Sequence, residues 1–188
     1  MSPILILYGT VDGQTKKIAS ALAETLRHEG ADVDVRNAAA DVAFLRPEVY
    51  AGILVAAPVH LGRYPRPVER WLRTHAEALR RRPSAFVSVC LGILDPRPET
   101  QREVTAIVER CFQRTGWRPE LVKAVAGALL YSRYGWLKRR ILRRIARQSG
   151  GDTDWTRDYE YTDWDDLRAF AHSFLELVYG RSVRAAAG

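Results

Sequence analysis

The sequence predicts an α/β fold: a doubly wound, five-stranded parallel sheet in the order 2-1-3-4-5, with a basic amphipathic helical insert after strand 5. Three observations carry this expectation. Apolar runs of strand length alternate with stretches of helical period along most of the 188 residues. The runs in the middle of the chain are continuously apolar, as strands buried on both faces are. The first strand opens directly into a loop bearing glycine and threonine and then into a helix, so that the free amides of a helix N-terminus face that loop. Alternating strands and helices imply right-handed crossovers, with a ligand lying outside the C-terminal ends of strands 1, 3 and 4.

Pro3 to Tyr8 is apolar and rich in β-branched residues, and reads as strand 1. Lys16 to Glu29 carries Ile18, Ala19, Leu22, Ala23 and Leu26 at helical spacing, and Gly30 provides a stop. Asp32 to Asn37 alternates polar with apolar, as an edge strand with one wet face does. Gly52 to Ala57 is a fully apolar strand, followed by the exit loop Pro58-Val59-His60-Leu61-Gly62-Arg63-Tyr64. Pro65 or Pro67 opens a helix to about Arg80. Ser84 to Leu91 is another buried strand, leaving through Gly92-Ile93-Leu94-Asp95-Pro96. Glu99 to Thr115 is helical by period, and Leu121 to Leu130 is the fifth strand candidate. A basic segment, 131–150, precedes a polar connector from Gly150 to Thr162. Asp163 or Thr162 caps a final helix, Trp164 to Tyr179. Residues 1–180 are thus expected to form one domain and 181–188 a disordered tail.

The apolar fraction of 47% and charged fraction of 27% are those of an ordinary globule. Cys90 and Cys111 suit no metal-binding spacing, and no metal site is expected; the pair fits a reduced, cytoplasmic setting. The N-terminus lacks the basic flank and cleavage site of a signal peptide, and no stretch approaches the roughly 20 apolar residues of a spanning helix. The chain has 29 Lys+Arg against 22 Asp+Glu, a net charge of +7. Arg133, Lys138, Arg139, Arg140, Arg143, Arg144 and Arg147 supply all of that excess from a segment with no acidic residue, so the rest of the chain is neutral.

The loop Gly9-Thr10-Val11-Asp12-Gly13-Gln14-Thr15 can seat a phosphate. Helix amides and the positive end of the helix dipole meet there, Thr10 and Thr15 add hydroxyls, Gln14 an amide, and Gly13 lets the backbone bend close to an anion. The loop does not read GxxxxGK[ST], against a nucleoside triphosphate with magnesium, and GxGxxG is absent, against a dinucleotide. A well-capped βα turn without ligand is the plainer alternative. The loop resembles the phosphate loop of flavodoxin-like proteins, (S/T)xTGxT, with Gly9 and Asp12 departing from the commonest residues. That resemblance implies FMN, its phosphate at Thr10 to Thr15 and its ring between the Pro58 to Tyr64 loop and the loop Cys90-Leu91-Gly92-Ile93-Leu94-Asp95. Tyr64 or His60 could stack on the ring; helix-start packing for Tyr64 and a surface position for His60 are the alternatives.

On a helical wheel, Leu137, Ile141, Leu142, Ile145 and Ala146 share one half, while Arg139, Arg140, Arg143, Arg144 and Arg147 crowd the other. Lys138 interrupts the apolar half and can snorkel. Trp136, Tyr134 and Tyr131 stand at the N-terminal edge. Such a helix can lie on an anionic membrane surface through its cations and interfacial rings. A solvated basic face packed on the sheet is the alternative, and no recognition module accompanies the charge to suggest nucleic acid.

DGQT at 12–15, PSAF at 83–86, WRP at 117–119, AGAL at 126–129 with Tyr131, Arg133, Tyr134 and Trp136, SGG with Asp152 and Thr153, and YTDW at 161–164 together resemble one family. It is that of the bacterial menaquinone-dependent protoporphyrinogen IX dehydrogenases, the flavodoxin-domain type of protoporphyrinogen oxidase. The resemblance runs from the N-terminus to about Tyr179. Leu94 and Asp95 stand where that family can carry basic residues, and His60 and Leu61 also depart from its pattern. It implies oxidation of protoporphyrinogen IX with menaquinone or ubiquinone as acceptor, in haem biosynthesis, by a protein peripheral on the inner face of the cell membrane. The flavin carries the chemistry, so no catalytic side chain is expected. Arg63, Arg97 and Arg133 are the cations suited to the substrate's propionates. A flavodoxin-like electron carrier and an NAD(P)H-quinone reductase are the competing functions, and a homo-oligomer stays open.

Overall fold

The computed structural model describes residues 2–40, 42, 44–129 and 159–186. Its strands are β1 (Ile4–Tyr8), β2 (Val33–Asn37), β3 (Gly52–Pro58), β4 (Ser84–Val89), β5 (Leu121–Val125), β6 (Ala128–Leu129) and β7 (Tyr159–Glu160). Its helices are α1 (Gln14–His28), α2 (Arg66–Thr74), α3 (Ala76–Leu79), α4 (Pro98–Thr115) and α5 (Trp164–Ala186). The first five strands form one sheet in the order β2-β1-β3-β4-β5, with every pairing parallel. The expected order is the observed one.

Strand alternation splits the core in two. Ile4, Ile6, Leu54, Ala56, Ala85 and Val87 face the helices α1 and α5, while Leu5, Leu7, Ile53, Val55 and Phe86 face α2 and α4. A continuously apolar strand needs two such covers, which is why β1, β3 and β4 lack polar positions apart from the buried Ser84 and Ser88. Phe86, Phe112 and Trp117 close the α2–α4 side with edge-on rings 5.7 to 6.1 Å apart.

Four boundaries differ from the sequence reading. The helix expected from Pro65 or Pro67 to Arg80 breaks at His75, which leaves helical geometry with φ −109°. Strand 4 stops at Val89, and Leu91–Leu94 form a single 3-10 turn. The fifth strand ends at Val125, because Ala128–Leu129 turn away to pair antiparallel with Tyr159–Glu160 inside the expected connector. The last helix continues past Tyr179 to Ala186, so the backbone stays helical through most of the stretch expected as a tail. The basic insert lies outside the described residues.

Candidate functional site

Three loops leave the C-terminal ends of the adjacent strands β1, β3 and β4. The first begins at Gly9, whose amide donates to the Ala56 carbonyl at 2.9 Å. A Cβ there would lie 2.7 Å from Val68 Cγ2 and 3.1 Å from Pro65 Cγ, which accounts for glycine where the resembled loop has serine or threonine. Thr10 Oγ1 then accepts the Gly13 amide at 2.9 Å and closes the loop on itself. Gly13 has φ 96°, in the left-handed region that glycine enters without a Cβ penalty, and caps α1.

The α1 ladder begins with the Lys17 amide on the Gly13 carbonyl at 3.2 Å, so the amides of Gln14, Thr15 and Lys16 stay outside it at the helix start. Thr15 is 2% exposed, and among the described residues its hydroxyl has no hydrogen-bond partner. A hydroxyl left without a protein partner at this turn is available to an anion seated on the same amides. Open amides, the Thr15 hydroxyl and no cation inside the loop form a donor set that fits a phosphomonoester.

The Gln14 side chain, expected to donate to that anion, is engaged elsewhere. Its Nε2 donates to Glu160 Oε1 at 2.9 Å and to Thr162 Oγ1 at 3.0 Å, leaving only its backbone amide for the loop. Lys17 Nζ donates to both oxygens of Glu160, at 2.9 and 2.7 Å, and lies 5.0 Å from the centre of the Trp164 ring. Thr162 Oγ1 in turn donates a hydrogen bond to the Ala126 carbonyl at 2.8 Å. Burial pushes the Glu160 carboxyl up, but hydrogen bonds from Lys17 and Gln14 outweigh it and hold the group below its ordinary value.

In the second loop the Val59 amide donates to the Val89 carbonyl at 2.8 Å. His60 and Arg63 then pair across a two-residue turn, amide to carbonyl at 2.8 and 3.1 Å. Leu61 and Gly62 form its tip with φ 50° and 71°; Leu61 is the one non-glycine residue at positive φ among those described, and it is 90% exposed. Holding leucine in the left-handed region costs about 1–2 kcal/mol, and no buried contact offsets it. His60 and Arg63 are also exposed, and Arg63 has no acidic partner among the described residues.

Tyr64 does not stack on this surface. It is 4% exposed, its hydroxyl lies 2.7 Å from Ser88 Oγ, and its ring meets Phe86 edge-on at 5.1 Å. Burial drives its phenol pKa well above the ordinary range. Turning inward satisfies the apolar ring and the Ser88 hydroxyl together, so helix-start packing is its role.

The third loop is held from beneath. Gln101 Nε2 faces the carbonyls of Gly92, Ile93 and Asp95 at 3.4, 3.2 and 2.5 Å, drawing the 3-10 turn onto α4. Asp95 and Arg97, expected to meet cofactor and substrate, are clasped to each other: Arg97 Nε lies 2.9 Å from both carboxylate oxygens and Nη2 2.5 Å from one. Thr100 Oγ1 and the Arg97 amide donate to the same carboxylate at 2.9 and 3.0 Å. The Arg97 hydrogen bonds hold that carboxyl well below the usual carboxylate range. Cys90 is half-buried and burial raises its thiol pKa, so it is protonated at neutral pH.

The structure therefore brings together Thr10 to Thr15, Val59 to Gly62 and Cys90 to Ile93, and turns Tyr64, Asp95 and the Gln14 side chain to internal partners. Arg133, Trp136, Leu137, Arg139, Arg140, Ile141, Arg143 and Arg144 lie outside the described residues. Sequence reasoning missed Ser88, Gln101, Glu160 and Thr162. Only Thr162 carried a signal, as part of the YTDW stretch.

An open parallel α/β sheet in the order β2-β1-β3-β4-β5, with an amide-lined loop after its first strand, defines a protein of flavodoxin type. The pattern of the family described as Flavodoxin domain matches residues 5–156. A protoporphyrinogen IX dehydrogenase [quinone] of Escherichia coli K12 is 35% identical over 174 residues, covering 93% of this chain and 95% of its own length. One of the same name from Leishmania major is 34% identical over 178 residues, covering 92% of this chain and 74% of its own length. Among solved structures, a short-chain flavodoxin associated with a non-canonical PDU bacterial microcompartment superposes with a TM-score of 0.55 at 14% identity, covering 95% of this chain and 99% of its own. Flavodoxin 1 of Bacillus cereus gives 0.52 at 14% identity, covering 93% and 98%. The chain belongs to the flavodoxin-domain family of quinone-dependent protoporphyrinogen IX dehydrogenases.

Proposed function

We propose that this chain oxidises protoporphyrinogen IX to protoporphyrin IX with FMN as its cofactor and menaquinone or ubiquinone as acceptor, a step of haem biosynthesis. The observation that supports the reading is the set of open amides at the start of α1, with the Thr15 hydroxyl, unpartnered among the described residues, in the same turn. The names of the relatives at 34–35% identity supply the substrate and the quinone.

FMN, when bound, supplies a ring nitrogen that accepts hydride, so the chain need provide neither nucleophile nor metal. Thr15 and the amides of Gln14 to Lys16 would hold the phosphate, with Thr10 keeping the loop closed around it. The turns at Leu61-Gly62 and Leu91–Leu94 would flank the ring, preset by the His60–Arg63 pairing and by Gln101. Arg63 can pair bidentately with a propionate because no acidic group among the described residues already occupies it. The aliphatic side chains of Val11, Leu61 and Leu94, exposed on the three loops, suit lipophilic partners.

Attachment to the inner face of the cell membrane follows from the same reading. The aromatic and basic residues of 131–150 support it, and no helix among the described residues is long and apolar enough to cross a bilayer.

Anaerobic mixing of the FMN-loaded protein with protoporphyrinogen IX tests the enzyme assignment. Flavin absorbance should bleach and return on adding a menaquinone analogue. Bleaching by NAD(P)H instead would identify a nicotinamide-dependent quinone reductase, and no bleaching by either an electron carrier. Liposome flotation tests the membrane reading: Arg139→Ala with Arg143→Ala should weaken binding to anionic vesicles.

A further inference from the structure

The first turn of α1 carries the amides of the candidate phosphate site, yet its side chains are tied to a segment about 146 residues further on. Gln14 and Lys17 stand one helical turn apart on the same face, and both reach Glu160. Both Glu160 oxygens, the Gln14 Nε2, the Lys17 ammonium and the Thr162 hydroxyl have partners. Gln14 Nε2 is shared between Glu160 and Thr162, the second Glu160 oxygen is held by Lys17, and Thr162 Oγ1 donates to the Ala126 carbonyl. Tyr161 adds a backbone bond from its amide to the Gly127 carbonyl at 3.1 Å, tying the strip to the end of the sheet next to β5.

Such an arrangement exceeds what the fold requires. Sheet and helix packing already bury α1 through Ile18, Leu22 and Leu26, whereas the Glu160 cluster is partly exposed and adds little burial. What it fixes is the rotation of the first turn, and with it the direction of its three open amides. It also sets the local charge. Lys17 neutralises a carboxylate that would otherwise stand uncompensated beside the first turn of α1, so the candidate site remains an assembly of dipoles.

We propose that Glu160 is a positioning residue for the flavin phosphate: by anchoring Gln14 and Lys17 it aims the first-turn amides of α1 and so sets the preference for FMN over riboflavin. The inference rests on the FMN reading above and adds to it a residue that does not touch the cofactor. Glu160 controls the part of the affinity that the phosphate contributes and leaves the ring's part unchanged. Riboflavin, which has the ring and lacks the phosphate, separates the two.

The experiment is titration of the full-length apoprotein with FMN and with riboflavin, followed by flavin fluorescence quenching and calorimetry. Glu160→Ala should lower FMN affinity about tenfold, the effect of one lost charge-assisted hydrogen bond, and change riboflavin affinity less than about twofold. Glu160→Gln, which keeps an acceptor for Gln14, should bring FMN affinity back to within about threefold of the parent or above it. Lys17→Met keeps the stem over Trp164 and leaves the Glu160 charge without its cation, held by Gln14 alone; FMN binding should weaken, and less so as salt is raised. Should Glu160→Ala fold poorly, Lys17→Met gives the same discrimination. Unchanged FMN affinity in these variants, or equal losses for FMN and riboflavin, would overturn the proposal. A parent protein that binds riboflavin and FMN equally, or neither, would instead overturn the FMN reading itself.

Discussion

The hydroxyls of Tyr64 and Ser88 lie 2.7 Å apart in the core beneath the candidate flavin surface. This single contact removes the only tyrosine of the second loop from any surface role and gives a buried serine in β4 its partner. Tyr64→Phe should lower stability by about 1 kcal/mol, since the ring stays packed and Ser88 loses its partner. Chemical denaturation measures that loss. The visible spectrum of the flavin-loaded protein should not move, whereas a stacked tyrosine would perturb it.

Thr15 offers the reverse case. Because its hydroxyl has no partner among the described residues, Thr15→Val leaves no protein group orphaned. Stability of the flavin-free protein should hold or rise slightly, while FMN affinity falls about tenfold for the lost phosphate contact. Paired thermal melts and FMN titrations decide this, and a variant that melts lower yet binds FMN normally would refute it.

Arg63 and Arg97 were equivalent on sequence grounds, and the structure separates them. Arg97 is clasped by Asp95, whereas Arg63 is exposed without an acidic partner among the described residues. Arg63→Ala should therefore raise KM for protoporphyrinogen IX about tenfold with a small change in kcat, and Arg97→Ala by less than about threefold. Steady-state kinetics at several substrate concentrations would show the split.

Burial pushes the Cys111 thiol from 9.0 up to about 12, and a buried Tyr50, hydrogen-bonded to Asp34 at 2.9 Å, is raised from 10.0 to about 12. Both groups hold their protons more tightly folded than unfolded. Their stabilisation is complete below about pH 9 and is lost as pH climbs towards 12, so the melting temperature should fall across that window. Iodoacetamide at pH 8 should leave Cys111 unlabelled until the chain is unfolded, as mass spectrometry of the two forms would report.

Relief of the strained turn is also measurable. Leu61→Asn, suited to φ 50°, should stabilise the protein by about 0.5–1 kcal/mol in urea titrations and reduce turnover with a long-tailed quinone.

Much of this architecture was legible in the chain. Ile53 to Ala57 and Ala85 to Val89 announce buried parallel strands because two helical layers demand apolar residues at consecutive positions. Gly13 and the helix start mark a candidate anion loop because backbone geometry there is local. The occupancy of side chains was not legible. Whether Gln14, Tyr64 or Arg97 is available depends on Glu160, Ser88 and Asp95, and of these only Asp95 is near in sequence. The ribbon of β6 and β7 escaped notice because two-residue strands carry no periodicity.

Gly9 packs so closely on Val68 and Pro65 that the first loop and the second helix share one evolutionary fate. A lineage could install a hydroxyl-bearing residue at position 9 only after trimming position 68. With Val68 intact, a side chain at position 9 would force one of the two to shift, so trimming position 68 first clears its way.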